Sequence, residues 1–167
     1  WKATGSLVRS TCTLTCKWTY LAHENRWDAD YFRAIGLGDL AEAGFVRIGA
    51  AVAPAGTPLG QGLTAAAAAD LGLTAGTPVG AALIDAHAGG VGSIGVKGAA
   101  GTALTRMAYV FGTSACTMAS SAEPVFIPGV WGPYFSAMVP GVWLSEGGQS
   151  GAGAAIAQLL SLHPASP

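Results

Sequence analysis

The sequence has few charged residues. They make up 10% of its 167 residues, against roughly 25% in an average soluble domain. Eight basic residues nearly balance nine acidic ones, and no basic run or stripe is present, so nucleic acid is not favoured as a partner. A small domain must keep much polar surface in water. We therefore interpret the chain as an interior fragment of a larger protein.

Cysteine is also scarce. The three cysteines, Cys12, Cys16 and Cys116, are too few and too irregularly spaced for a zinc motif or a disulfide framework. Cys12 and Cys16 lie one helical turn apart, and we interpret them as buried thiols that behave as small apolar residues. We expect no metal site held by protein side chains, and a reducing, cytoplasmic location.

Long uninterrupted apolar segments are absent. Residues 48–69 and 124–145 are uncharged and long enough to span a bilayer, but both contain several prolines and glycines. These residues break helices, so neither stretch is expected to cross a membrane.

The first candidate site follows the apolar run 79–84, which predicts a short buried strand. Asp85 comes directly after it. In open α/β sheets the reactive groups collect at the carboxyl ends of strands. The small residues after Asp85 favour the start of a helix and let a substrate approach closely.

Two further segments carry candidate site residues. Residues 109–114, YVFGTS, predict a strand that runs into a turn, whose N–H groups and two hydroxyls could hold phosphate oxygens. Residues 146–153, EGGQSGAG, begin with Glu146 at the end of an apolar strand and open a helix over residues 154–162.

The rest of the chain predicts mainly helices and turns. The cysteine spacing favours a helix over residues 6–22, with Lys17 beside its buried stripe. Asp28 and Thr64 are placed to cap helices over residues 29–35 and 64–71, and Gly72 is placed to end the second of these helices. A short helix is expected over residues 39–43. Residues 48–63 predict strands joined by turns, and most aromatic residues between 126 and 143 are expected in the core.

In this order the three segments, together with GVWGPY and MVPG between residues 129 and 141, resemble the FGGY carbohydrate kinases. The match is to the ribulokinase-like branch, which phosphorylates D-ribulose and related pentuloses or pentitols. The resemblance implies an α/β fold of the actin/hexokinase-like (ribonuclease H-like), two-lobed kind. Residues 1–100 would end the first lobe and residues 101–167 would begin the second, with the boundary within residues 97–105. The chain would cover about the middle third of a whole kinase.

The resemblance also implies roles for individual residues. Asp85 would be the general base and would orient the sugar, which Lys17 and Glu146 would also contact. ATP with Mg²⁺ would be the phosphoryl donor, the intact parent could form a homodimer, and the fragment alone would be inactive because the flanking phosphate and adenosine motifs are absent. The phosphate and nucleotide side would comprise Gly112, Thr113, Ser114 and Gly153.

Two alternatives remain open from the sequence. The chain could be a non-catalytic binding or assembly domain that keeps the fold. Residues 90–95 also satisfy the G-x-G-x-x-G pattern of NAD-dependent oxidoreductases, although residues 85–89 separate it from its strand and no acid follows about 20 residues later. We expect no metal or triad role for His87.

Overall fold

The computed structural model describes residues 1–98 and 100–165. Short strands and helices fill the first half, and an antiparallel sheet dominates the second. In chain order the elements are β1 (Arg9–Ser10), α1 (Thr11–Trp18), β2 (Tyr20–Leu21), β3 (Arg26–Trp27), α2 (Ala29–Ala34), α3 (Gly38–Glu42), β4 (Val52–Ala53), α4 (Ala65–Leu71), α5 (Asp85–Ile94), β5 (Met107–Phe111), β6 (Ala115–Ser121), β7 (Trp131–Phe135), β8 (Trp143–Gln149) and α6 (Gly153–Leu162).

The four-stranded antiparallel sheet has the order β5-β6-β8-β7. Met118 of β6 lies opposite Glu146 of β8. Because side chains alternate between the two faces of a strand, Cys116 shares the face of this pair. That face forms the largest apolar core, which comprises Ile94, Ala108, Met118, Ala137, Met138 and Leu144.

Helix α5 packs on the buried face of this sheet although its sequence, DAHAGGVGSI, is a poor helix former. Gly90 explains the close approach. A Cβ atom built on Gly90 would lie 2.6 Å from Met138 Sδ and 3.1 Å from Met118 Cε. The helix is therefore stabilised by its contact with the sheet rather than by intrinsic propensity.

Two smaller apolar clusters organise the first half. Leu14, Tyr20 and Ala22 form one, and Phe32, Leu40 and Phe45 form the other. Trp27 joins them, since its ring stacks on Phe45 with centroids 5.0 Å apart and meets Tyr20 edge to face.

The predicted helix caps are confirmed. The Asp28 side chain accepts a hydrogen bond from the Tyr31 N–H at 3.1 Å, and the Thr64 hydroxyl accepts one from the Ala67 N–H at 3.2 Å. Gly72 ends α4 in the left-handed region, with φ of 67°. Asp28 and Thr64 thus satisfy N–H groups at the helix starts, and the Gly72 N–H donates to the carbonyl oxygens of Ala68 and Ala69 at the end of α4.

The predicted buried strand over residues 79–84 is wrong. This segment is extended, but its one bridge joins Gly80 to Pro58, and Ala81 is its one buried residue. Its neighbour is the turn-rich segment of residues 56–63, where prolines and glycines interrupt a regular ladder. A helix does begin at Asp85, as the small residues after it predict.

Other boundaries also differ from the predictions. The helix predicted over residues 6–22 is confined to α1, because Arg9–Ser10 pairs in parallel with Val52–Ala53 and Thr19 ends the helix with φ of 54°. Residues 48–63 contain a single two-residue strand. Glu146 lies in the middle of β8 rather than after its end.

The expectation that most aromatic residues of 126–143 are core is only partly met. Trp131 is 56% exposed and Phe126 is 80% exposed. Tyr134 and Phe135 are half-buried. Tyr134 packs against the largest core, and Phe135 packs against the cluster of Leu14, Tyr20 and Ala22.

The division into lobes stays a prediction. Ala99, within the predicted boundary segment, lies outside the described residues.

Helix α6 is apolar but exposed. None of its residues is buried, and Ile156, Leu159, Leu160 and Leu162 are all at least half exposed. With α5 it is among the longest helices, at ten residues each, and no helix within the described residues is long and apolar enough to cross a bilayer.

The contact at Gly90 predicts that a change from glycine to alanine has opposite effects on stability at positions 90 and 92 of α5. Gly90→Ala should destabilise the protein by about 1–3 kcal/mol, because the new methyl group overpacks the methionines. Gly92→Ala should stabilise it by roughly 0.5–1 kcal/mol, since a Cβ atom there meets nothing within 4 Å. Urea unfolding of the complete protein measures both. Equal effects at the two positions would contradict the packing account.

Candidate functional site

A cleft of about 370 Å³ lies between the first turn of α5 and the hairpin of β5 and β6. Its lining includes Asp85, Val110, Gly112, Ser114 and Cys116. The structure thus brings the predicted base and the predicted phosphate turn to one opening. A larger hollow of about 590 Å³ lies between residues 1–5 and α4, and none of the predicted site residues lines it.

Asp85 is the first residue of α5 and its side chain is exposed. Its Oδ1 accepts a hydrogen bond from the N–H of Ala86 at 2.9 Å. The positive end of the helix dipole favours a carboxylate in the first turn. The helix start therefore suits the Asp85 carboxylate and holds it at the cleft.

The Gly112–Ser114 turn is fixed by the start of α6. Backbone N–H groups of Ala152 and Ala154 donate to the Thr113 carbonyl oxygen at 3.0 and 3.3 Å, and that of Gly153 donates to the Gly112 carbonyl oxygen at 3.0 Å. These helix donors are therefore already used. The groups turned to solvent are the exposed side chains of Thr113 and Ser114.

Gly153 has a packing role in this arrangement. A Cβ atom on it would lie 2.4 Å from the Gly112 carbonyl oxygen, which is closer than any side chain allows. Glycine at this position lets α6 start against the turn. A direct contact of Gly153 with a nucleotide stays a prediction.

Behind the cleft, a thiol, an imidazole and a carboxylate form a row. His87 is 1% exposed, with its Nδ1 3.2 Å from Cys12 Sγ and its Nε2 3.2 Å from Glu146 Oε2. The N–H of Ile84 donates to Cys12 Sγ at 3.4 Å. The row connects α1, α5 and β8, and we name it the Cys12–His87–Glu146 row.

The pKa values in this row favour the charged forms. Burial lowers the pKa of His87, but hydrogen bonds with Cys12 and Glu146 outweigh it and raise the pKa to about 9. The hydrogen bond with Cys16 lowers the pKa of Cys12 from 9.0 to about 5, against the effect of burial and with help from His87. The hydrogen bond with His87 lowers the pKa of Glu146. A thiolate, an imidazolium and a carboxylate result.

Cys116 links this row to the cleft. Burial is the largest cause that raises the pKa of its thiol. A hydrogen bond with Glu146 and the charges of Glu146 and Asp85 raise this pKa further, whereas the charge of Lys17 lowers it. Lys17, in the last turn of α1, also lowers the pKa of Glu146. The three residues predicted to contact sugar therefore all influence the pKa of one thiol that lines the cleft. Asp85 lines the cleft itself, whereas Lys17 and Glu146 are not among its lining residues, and Lys17 lines a separate hollow beside α2.

The sequence did not predict the Cys12–His87–Glu146 row. Cys12 is buried as expected, but it is hydrogen-bonded rather than inert. His87, for which we expected no metal or triad role, has a partner at each ring nitrogen. Two residues along a helix turn the side chain by about 200°, so a cleft-facing Asp85 implied an inward His87. The partners come from residues 75 and 59 positions away in sequence, which no local pattern reveals.

The dinucleotide hypothesis for residues 90–95 is wrong. Such a glycine motif must form the turn between a strand and the start of a helix. Here it occupies the second half of α5 and its C-terminal cap, Gly95, and Gly90 packs into the methionine core.

Within residues 1–98 and 100–165, no group of three or more His, Cys, Asp or Glu side chains could hold a metal ion. The exposed hydroxyls of the Gly112–Ser114 turn, beside an open cleft, do fit a phosphate group.

Comparison with known proteins gives a consistent result. Residues 107–166 match the FGGY family of carbohydrate kinases, C-terminal domain. The chain is 56% identical to an FGGY carbohydrate kinase domain-containing protein of Danio rerio, over 99% of this chain and 31% of that protein. It is 53% identical to a protein of the same description from Homo sapiens, over 100% of this chain and 31% of that protein. It is 36% identical to a D-ribulokinase of Saccharomyces cerevisiae, over 98% of this chain and 26% of that protein. The chain thus spans less than a third of the length of these relatives.

Two crystal structures show the same fold. A xylulose kinase from Rhodospirillum rubrum aligns with a TM-score of 0.61 at 24% identity, over 96% of this chain and 30% of that one. A xylulose kinase from Brucella ovis aligns with a TM-score of 0.61 at 20% identity, over 95% and 30%. The predicted actin/hexokinase-like α/β fold is confirmed for the part of those structures that the chain covers.

The charged state of the Cys12–His87–Glu146 row predicts a pH-dependent stability. From pH 5 to 6.5 the unfolded chain keeps both the Cys12 and the His87 proton, whereas the folded chain keeps the His87 proton alone. Stability therefore rises with pH over this range by about 2 kcal/mol. Between pH 6.5 and 9 the unfolded chain holds only the Cys12 proton and the folded chain holds only the His87 proton. The two states then bind the same number of protons, so stability does not change with pH in this range.

The measurement is the difference in unfolding free energy between the wild type and the Cys12→Ala/His87→Gln double variant. It should increase from pH 5 to 6.5 and stay level up to pH 9. A difference that is constant from pH 5 to 9 would mean that folding leaves the pKa values of Cys12 and His87 unchanged.

Proposed function

Because the chain belongs to the FGGY family of carbohydrate kinases, we propose that the complete protein transfers the γ-phosphoryl group of ATP to a hydroxyl of a pentulose or pentitol, with D-ribulose as the first candidate. Relatives named D-ribulokinase and ribulokinase, at 36% and 32% identity, support this substrate class. The observation that carries the proposal is that Asp85 and the Gly112–Ser114 turn line the same cleft.

Asp85 acts as the general base in this proposal. As the sugar oxygen forms its bond to the γ-phosphorus, the bond from that phosphorus to the β,γ-bridging oxygen breaks. The hydroxyl proton passes to the Asp85 carboxylate, and the bonding pair leaves with ADP. The exposed carboxylate at the start of α5 is held by the Ala86 N–H and needs no large movement to reach a bound sugar.

Lys17 and Glu146 hold the sugar. The Lys17 ammonium donates to sugar oxygens and the Glu146 carboxylate accepts from sugar hydroxyls. Their electrostatic influence on Cys116 supports this role, since Cys116 lines the cleft. The cleft volume of about 370 Å³ falls within the range of roughly 300–1,000 Å³ that is usual for small-molecule sites.

The Gly112–Ser114 turn binds the transferred phosphate. The side chains of Thr113 and Ser114 donate hydroxyl hydrogens to phosphoryl oxygens, while α6 keeps the turn rigid through three backbone hydrogen bonds. Mg²⁺ carried with ATP would supply positive charge to the phosphoryl group that this turn holds. A homodimer and a cytoplasmic location stay predictions.

The test is an assay of the complete protein with ATP and a panel of pentuloses and pentitols, with ADP release and the phosphorylated product both measured. The proposal requires at least one substrate to be phosphorylated. Sugar binding with no product from any member of the panel would instead favour the non-catalytic binding domain.

Replacing the base should abolish turnover. Asp85→Asn keeps the shape of the side chain but removes its capacity to accept the proton, so kcat should fall by about 10²–10⁴-fold with the sugar Kd changed little. Asp70→Asn, an exposed residue of α4 away from the cleft, is the matched control. An Asp85→Asn enzyme as fast as the wild type would remove Asp85 from the mechanism.

Removing a hydroxyl from the turn should affect ATP rather than sugar. Ser114→Ala should raise the KM for ATP about 10-fold, the loss of one hydrogen bond to a charged group, and leave the KM for sugar unchanged. Ser161→Ala, on the exposed surface of α6, controls for the loss of a hydroxyl elsewhere. Steady-state kinetics with each substrate varied in turn measures the two constants. Equal ATP constants in Ser114→Ala and the wild type would argue against a phosphate contact.

A further inference from the structure

Glu146 occupies an unusual position for a carboxylate. It lies in the middle of β8, on the face of the sheet that forms the largest core, between the buried Leu144 and the exposed Gly148. Its side chain is 13% exposed. A carboxylate in such a place must be hydrogen-bonded to remain charged, and His87 Nε2, 3.2 Å away, is the partner.

His87 itself is held from behind. Its ring is buried in the contact between α5 and the sheet, and its other nitrogen lies 3.2 Å from Cys12 Sγ. The sulfur in turn accepts from the N–H of Ile84, the residue directly before Asp85. Cys12 therefore fixes both the backbone directly before Asp85 and the His87 ring that is hydrogen-bonded to Glu146.

We propose that His87 is a positioning residue of the sugar site. Through Nε2 it holds the Glu146 carboxylate in place beside Cys116, a residue of the cleft wall, and Cys12 fixes the ring through Nδ1. The proposal rests on the proposed function, because it takes Glu146 as the acceptor of sugar hydroxyls. It assigns to His87 no contact with the sugar.

Several charged or titratable groups face this row, so pH effects must be compared between variants. Three of them lie on α1 and α5, and two lie on the neighbouring strands β6 and β7. Besides Cys12, His87 and Glu146 these groups are Cys16, Lys17, Asp85, Cys116 and Tyr134.

Two substitutions of His87 separate its two hydrogen bonds. The amide of His87→Gln reaches the position of Nε2 and keeps a donor to Glu146. The amide of His87→Asn is shorter, reaches the position of Nδ1 and keeps the contact with Cys12 alone. The two variants both carry a side-chain amide, but the glutamine keeps the contact with Glu146 and the asparagine keeps the contact with Cys12.

In the complete protein, His87→Asn should raise the KM for sugar about 10-fold, the loss of a hydrogen bond to a charged group, with the KM for ATP unchanged. The acidic limb of the pH profile of kcat/KM for sugar should shift to higher pH, because Glu146 is protonated more easily without its donor. His87→Gln should stay close to the wild type in both. Equal effects of the two variants, or no effect of His87→Asn, would overturn the proposal.

A second measurement does not depend on activity or on a folded His87 variant. Nitrogen-15 NMR of the imidazole rings follows the titration of His87, one of three histidines. Glu146→Gln should lower the pKa of His87 by at least one unit, and Cys12→Ala should lower it as well. A wild-type His87 that titrates near 6.5, or a titration that Glu146→Gln leaves unchanged, would refute the coupling.

The kinetic measurements and the NMR titration together separate failure of the inference from failure of the proposed function. If no sugar is phosphorylated, the proposed function is wrong, and the NMR titration alone decides whether His87 holds Glu146. If sugar is phosphorylated but the His87 variants behave alike, the proposed function stands and the positioning role is lost.

Discussion

The packing of α5 on the antiparallel sheet is the contact on which the site depends. It is possible because Gly90 presents no side chain to Met138 and Met118. The helix brings Asp85 to the cleft on one side and His87 into the interior on the other. A weak helix former is thus the element that positions two ionisable side chains, and the sheet supplies the stability that its sequence lacks.

Electrostatics in the interior follow from this placement. Burial opposes charge on each member of the Cys12–His87–Glu146 row, yet each finds an opposite charge or a donor within hydrogen-bond distance. The positive charge of Lys17 also lowers the pKa of Glu146. The net effect is a wall behind the cleft that is polar, charged and closed to solvent, in contrast to the exposed carboxylate of Asp85.

Local structure was predictable where a single residue decides it. Asp28, Thr64 and Gly72 begin or end helices as their side chains and backbone freedom require. The fold class and the grouping of Asp85 with the Gly112–Ser114 turn also followed from the sequence. The strand over residues 79–84 did not form, because its regularity depended on a neighbour, residues 56–63, that turns instead. The Cys12–His87–Glu146 row was also missed, because it joins three elements that are distant along the chain.

The hydrogen bonds between α6 and the Gly112–Ser114 turn have a mechanical consequence. Three helix N–H groups donate to two turn carbonyls, so α6 cannot slide along its axis without dragging the turn or breaking these bonds. The helix exposes Ile156, Leu159, Leu160 and Leu162 on its surface. A contact on those side chains that moved the helix would therefore also move the turn relative to Asp85. In the proposed reaction this would change the distance between the acceptor hydroxyl and the phosphoryl group.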